Sequence, residues 1–144
     1  MPIVNVNGLN LNYLVQGAGP PIILSHGFQN SGFAFTPISG RLAEQFQVFA
    51  LDKRGHGDSD KPPGPYRIQD FADALLGFLG ALDLEKVDFL GHSMGGRTGT
   101  LLAIEHSDRL NRLMLVSSSA GAPSGAYREH FEVLHQLSIK EGME

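Results

Sequence analysis

Apolar and polar residues alternate through Val4-Asn5-Val6-Asn7-Gly8-Leu9-Asn10-Leu11, the period-two pattern of a half-buried strand pair. Asn7-Gly8 sits at its centre, and Asn-Gly is the strongest two-residue hairpin signal. A two-residue loop sets Val6 against Leu9, Asn5 against Asn10 and Val4 against Leu11, so apolar residues meet on one face and asparagines on the other. Gly17 to Pro21 ends the second strand. After it the pattern changes to short continuous apolar runs, the mark of strands buried on both faces. These are Ile22-Ile23-Leu24, Gln47 to Leu51, Val87 to Leu90 and Leu113 to Val116.

Between the runs the period lengthens to that of a helix. Thr36-Pro37 reads as an N-cap with proline at the first helical position, and Ile38, Leu42 and Phe46 fall on one face. Ile68, Phe71, Ala72, Leu75, Leu79 and Leu82 follow helical spacing, with Asp70 and Asp73 near the positive end of the dipole. Arg97 to Ile104 forms a small-residue helix ending near His106. Ser124 to Gly142 reads as a last helix, with Tyr127, Phe131, Leu134 and Ser138 on one side. Lys61 to Pro65 is too rich in proline for a helix or central strand and is a surface loop. A hairpin followed by strands alternating with helices predicts an α/β fold: a mostly parallel sheet with an N-terminal antiparallel hairpin and helices on both faces.

The 144 residues suit a single domain, and 42% hydrophobic against 18% charged residues is enough to build a core. The net charge of −4 carries no block of like sign, which excludes a nucleic-acid surface and an anionic-membrane patch. There is no cysteine, so disulfides and thiolate metal sites are excluded. Met1 to Asn5 has neither a basic region nor a long apolar segment, so no secretory leader or membrane span is expected and the cytoplasm is the expected compartment.

The candidate chemistry lies where strands end. Gly91-His92-Ser93-Met94-Gly95-Gly96 joins an apolar strand to a helix, and G-x-S-x-G at such a junction is a nucleophile elbow. The sharp turn strains the serine backbone, and Gly91, Gly95 and Gly96 supply the clearance it needs. Ser93 is then presented above the sheet beside a helix N-terminus, where free N–H groups and the dipole favour negative charge. Two further motifs follow earlier strands: Ser25-His26-Gly27-Phe28 and Asp52-Lys53-Arg54-Gly55-His56-Gly57-Asp58-Ser59.

These three stretches, in this order at the ends of successive strands, resemble the α/β-hydrolase fold superfamily across essentially the whole chain. His26-Gly27-Phe28 is similar to its H-G-x oxyanion loop and Asp52 to Ser59 to its D-x-R-G-x-G-x-S turn. The resemblance implies that Ser93 is the nucleophile, with the backbone N–H groups of Met94 and Phe28 forming the oxyanion hole. It implies supporting roles for His26, Gly27, Gly91, His92, Gly95 and Gly96. Asp52, His56, Asp58 and Asp60 read as a hydrogen-bonded turn rather than a metal site, and no metal or cofactor is expected. Serine as nucleophile speaks against dehalogenase or epoxide-hydrolase chemistry, where relatives carry aspartate.

The resemblance implies a division into residues 1–119, the N-terminal part of the core, and 120–144, the start of a cap or lid helix. The family places its catalytic acid and histidine on strands well after the elbow, and only 51 residues follow Ser93. The chain is therefore expected to represent an N-terminal half without its own acid and base. His106 and Asp108 stand at the far end of the helix leaving Ser93, roughly 19 Å away at 1.5 Å per residue. His130 and His135, with Glu129 or Glu132 nearby, are the remaining candidates, in a mixed-charge stretch that reads first as a solvated face. The expected activity is acyl transfer to water on a carboxylic ester, a lactone or a similar small acyl substrate. The alternatives are an inert fragment or pseudo-enzyme serving as a binding module and, more remotely, haloperoxidase, C–C hydrolase or hydroxynitrile lyase chemistry on the same elbow. Without the strands that flank it in relatives, strand 113–116 would be an apolar edge open to self-association.

Overall fold

The structure is a computed structural model, and it describes residues 1–119. The expected helix over 124–142, the 120–144 segment as a whole and the candidates His130 and His135 lie outside the described residues. Six strands run β1 (Ile3–Val6), β2 (Leu9–Gln16), β3 (Pro21–Ser25), β4 (Gln47–Leu51), β5 (Val87–His92) and β6 (Leu110–Val116). Three α-helices separate the later ones: α1 (Thr36–Leu42), α2 (Ile68–Ala81) and α3 (Met94–Glu105). The strands form one sheet in the order β1-β2-β4-β3-β5-β6. Strands β3 to β6 pair in parallel, and β2 joins them antiparallel through β4.

The hairpin has the register its alternation dictates, with Val6 opposite Leu9, Asn5 opposite Asn10 and Val4 opposite Leu11. The polar face is tied by a 2.8 Å bond from Asn5 Nδ2 to Asn10 Oδ1, while Val6 and Leu11 are buried on the other. Asn7 and Gly8 both adopt positive φ, at 52° and 87°, as the tight turn requires.

The helices cover both faces of the sheet. On one face, Leu75, Phe78 and Leu79 of α2 and Leu102 of α3 pack against Leu11, Ile23, Phe49 and Phe89. On the other, Phe35 and Leu42 pack against Ile22, Leu24, Val48 and Ala50. Alternate residues of each central strand thus serve opposite cores, which is why those strands read as unbroken apolar runs. The start of α1 differs from expectation. Thr36 is its first residue, not its cap, because Ser31 caps a preceding 3-10 turn (Gly32–Phe35) that leads straight into the helix. The helix ends at Leu42, so Phe46 packs from the loop beyond it, while Ile38 is exposed. Helix α2 begins with Asp70 accepting from Arg67 N–H at 2.6 Å and from the Arg67 guanidinium at 3.0 and 3.1 Å, a one-sided cap that its early acidic residue foreshadowed.

Strand β6 starts three residues before its apolar core and has β5 as its one partner among the described residues. Met114, Leu115 and Val116 are all exposed. Across the pair, buried Asp88 lies opposite Arg112, with Oδ1 3.5 Å from Nε. That separation gives an ion pair without a hydrogen bond, so Asp88 Oδ1 has no donor.

Candidate functional site

The sheet order explains where the three motifs meet. From β3 the chain moves to one side to make β4, then crosses back to make β5 on the other side. The crevice beyond the carboxyl ends of β3 and β5 is a topological switch point, the usual ligand position in open α/β sheets. Ser25 at the end of β3 is paired with Gly91 near the end of β5, so His26-Gly27 and His92-Ser93 emerge side by side.

Ser93 has φ 52° and ψ −115°, a region that a residue with a side chain adopts only when its surroundings enforce it. Those surroundings are visible. Ser93 N–H donates to Val116 O at 2.9 Å, and Ser93 O accepts from Gly96 N–H at 3.0 Å and from Ser118 Oγ at 2.9 Å. The turn is thereby fastened to the end of β6 and to the first turn of α3. Its glycines are clearances. A Cβ on Gly91 would lie 2.5 Å from Gly95 O, and one on Gly96 would lie 2.5 Å from Ser118 Cβ. Ser93 is half-buried, and no described residue hydrogen-bonds its hydroxyl. Met94 is the first residue of α3, where a backbone N–H has no acceptor within the helix.

The loop after β3 passes directly over this turn. A Cβ on Gly27 would stand 3.3 Å from Ser93 Cβ and 3.0 Å from His92 Nδ1, so only glycine fits without displacement. His26 is fully buried beneath the loop. Its Nε2 accepts from Lys53 N–H at 3.2 Å, which places the ring proton on Nδ1, donated to Gly27 O at 2.7 Å. Burial, with the Lys53 amine nearby, pushes His26 down from 6.5 to about 3. Phe28 is exposed, its ring 6.2 Å from that of His56.

The turn after β4 is built on Asp52. Its carboxylate accepts from Gly32 N–H at 2.7 Å, Asn12 Nδ2 at 2.8 Å and Asp58 N–H at 3.0 Å. Ser59 Oγ donates to Asp52 O and accepts from Asn12 N–H, so both ends of the turn are pinned to β2. Asp60 accepts from Asn10 N–H at 2.7 Å. His56 Nδ1 lies 3.1 Å from Arg54 O, and burial lowers its pKa. These contacts give the acidic residues hydrogen-bonding work within the turn. Among the described residues no group of three or more His, Asp or Glu is placed to hold a metal.

Sequence reading passed over Lys53. Standing in a polar turn, it carries no periodicity to betray its burial, yet it is 3% exposed and burial lowers it from 10.5 to about 7. Burial disfavours the charged form of both His26 and Lys53, and the sign of the effect is the same for each. The unfolded chain takes up the His26 proton near pH 6.5 and the folded chain only near 3, so stability is lost as pH falls through that interval. The unfolded chain holds the Lys53 proton up to about 10.5 and the folded chain to about 7, so stability rises with pH between them. Urea midpoints are expected to climb between pH 7.5 and 9.5 and to fall steeply below pH 6, with Lys53→Met flattening the alkaline rise.

Among the described residues no helix is long and apolar enough to cross a membrane. A family model described as alpha/beta hydrolase fold matches residues 20–136. The chain is 32% identical over 113 residues to 2-(acetamidomethylene)succinate hydrolase of Mesorhizobium japonicum, covering 78% of this chain and 41% of the relative. It is 33% identical over 116 residues to a soluble epoxide hydrolase of Corynebacterium, covering 81% and 41%. The crystal structure of the enol-lactonase from Burkholderia xenovorans superposes with a TM-score of 0.82 at 34% identity, covering 96% of this chain and 57% of that one. The chain thus spans about two fifths of the length of those curated relatives. Sheet order, strained serine and family match converge, and the chain belongs to the α/β-hydrolase fold family.

Proposed function

We propose that the chain carries the nucleophile side of a serine hydrolase acting on a carboxylic ester, a lactone or a similar acyl group. The observation that carries this reading is Ser93 at φ 52°, half-buried at the switch point and overhung by Gly27. The relatives do not select the chemistry by themselves, since a 2-(acetamidomethylene)succinate hydrolase, an epoxide hydrolase and an enol-lactonase match comparably. The serine does. Its oxygen adds to the substrate carbonyl carbon, and the carbonyl oxygen takes the negative charge. Met94 and Phe28 N–H groups donate to that oxyanion, an interaction stronger in the transition state than before it. Collapse expels the alcohol and leaves an acyl-serine, which water then hydrolyses. A histidine must take the serine proton and return it to the leaving group.

A second reading, an inert fragment or pseudo-enzyme that binds without turnover, has one observation in its favour. His26 is committed to Gly27 O and Lys53 N–H, and His56 lies against Arg54 O, so neither stands ready as base. One experiment separates the two. The chain is treated with a fluorophosphonate and digested, and the adduct is mapped by mass spectrometry. An adduct on Ser93 forming within minutes supports the hydrolase. No adduct, or one distributed over Ser117, Ser118 and Ser119, favours the inert reading.

We further propose that the exposed β6 edge pairs with a second copy of the chain. Its Met114, Leu115 and Val116 offer apolar surface beside backbone groups that no described strand pairs. Sedimentation is expected to show concentration-dependent association that Leu115→Lys reduces. A monomer across the accessible concentration range would reject this pairing.

A further inference from the structure

The turn after β4 holds a group that the hydrolytic reading does not use. The Lys53 amine is buried, donates to the carbonyl oxygen of His26 and lies 5.6 Å from the centroid of the Phe71 ring. Among the described residues no carboxylate is ion-paired with it, because the two ion pairs are Arg67–Asp70 and Arg112–Asp88. The neighbouring Asp52 is occupied by Asn12, Gly32 and Asp58. Burying an amine without a counter-charge opposes folding, and an apolar side chain of similar length would fill the space without that penalty. Such a group calls for a reason beyond packing.

The reason lies in the loop it holds. A trans peptide is planar, with its C=O and N–H pointing in opposite directions. Lys53 Nζ on His26 O therefore sets the His26–Gly27 peptide, and with it the Gly27 N–H. His26 Nδ1 on Gly27 O sets the next peptide, and with it the Phe28 N–H. Residue 53 enters both settings, the first through its amine and the second through its backbone N–H on the His26 ring, and only the first belongs to the lysine side chain. External holds matter here because residue 27 is a glycine, close against His92 and Ser93, and glycine is the residue least able to fix its own backbone.

We propose that Lys53 is a positioning residue for the oxyanion loop, its amine fixing the His26–Gly27 peptide from which the Phe28 amide follows, and that it is retained at the expense of stability. The proposal rests on the serine-hydrolase reading for its purpose but not for its geometry. It does not depend on the charge of the amine. With burial lowering Lys53 to about 7, and with His26, His56 and Asp52 as the titratable groups around it, the nitrogen keeps a proton to donate on either side of neutrality.

Lys53→Met and Lys53→Gln in the full chain test it, with thermal unfolding, the ¹⁵N–¹H cross-peaks of Gly27 and Phe28, and the rate of fluorophosphonate reaction at Ser93 as readouts. Lys53→Met is expected to leave Tm unchanged or raised, to displace the Gly27 cross-peak and, by a smaller amount, that of Phe28, and to slow labelling about tenfold, less than direct removal of an oxyanion donor. Lys53→Gln, which keeps an N–H donor, is expected to recover most of both effects. A Lys53→Met protein that unfolds, or whose Gly27 and Phe28 peaks stay in place, overturns the proposal, as does a Gln variant indistinguishable from Met. If the unsubstituted chain fails to label at Ser93, the hydrolase reading falls while the cross-peaks still decide the role of Lys53.

Discussion

Ser93→Gly is expected to abolish reaction with a fluorophosphonate and, at the same time, to make the protein more stable. The first effect follows from removing the only atom that bonds to phosphorus. Loss of the nucleophile in a serine hydrolase lowers turnover by about 10⁶, so any ester hydrolysis is expected to fall to the background left by the oxyanion donors. The second follows from φ 52° and ψ −115°, where a residue with a Cβ is strained by roughly 1–3 kcal/mol and glycine is not. The unfolded glycine chain has more freedom to lose, which takes back part of that gain. A net rise of about 1 kcal/mol is expected, read as a higher urea midpoint with an unchanged slope. The combination separates function from packing. A serine kept merely to fill a turn gives no reason for activity and stability to move in opposite directions. A Ser93→Gly protein that is less stable would mean that the hydroxyl, not the backbone, is what the turn needs.

What could be read from the sequence, and what could not, divides along a physical line. The hairpin register, the bounds of β4 and the position of Ser93 were legible because local chemistry decides them. Asn7-Gly8 fixes a two-residue turn, alternation fixes the face, and a serine between glycines at a strand end permits one geometry. The start of α1 was not legible, because Ser31 captures the N–H of Phe33 before Thr36 can act as a cap. Phe78 was missed as a core residue although it is fully buried. It lies three residues after Leu75 on α2, but its place is decided by edge contacts with Tyr13 and Phe49 from two other strands. Lys53 and Asp88 are the sharper failures. Both are charged and both are buried, and burial of a charge is settled by tertiary contacts that leave no periodic trace. The family resemblance suggested the oxyanion roles proposed for Phe28 and Met94. Geometry adds that Gly27 overhangs Ser93 and that His26 and Lys53 set the loop from below.

Gly95→Ala is expected to be among the most damaging single-methyl changes in the chain. Gly95 is the second residue of α3, and in an ordinary helix alanine there would be favoured by about 0.5–1 kcal/mol. Here the new Cβ would lie 2.0 Å from Ser25 O, 2.6 Å from Ser25 C and 2.8 Å from His26 O. None of these atoms can give way cheaply. Ser25 is paired with Leu51 of β4 on one side and Gly91 of β5 on the other, so moving it breaks the middle of the sheet. The alternative is for α3 to lift away, which uncovers Leu102 and separates the elbow from the loop bearing Gly27. Either response places the loss above about 4 kcal/mol, where a domain of this size loses most of its stability. The expected result is an insoluble or unfolded chain, or a folded one in which Ser93 no longer labels. Gly80→Ala is the control, because Gly80 is helical, exposed and has nothing within 4 Å of its would-be Cβ. It is expected to raise the urea midpoint modestly. If Gly95→Ala instead matched Gly80→Ala, α3 would not pack as closely on the ends of β3 and β5 as the oxyanion geometry demands, and Ser93 and Phe28 would stand too far apart to act on one carbonyl.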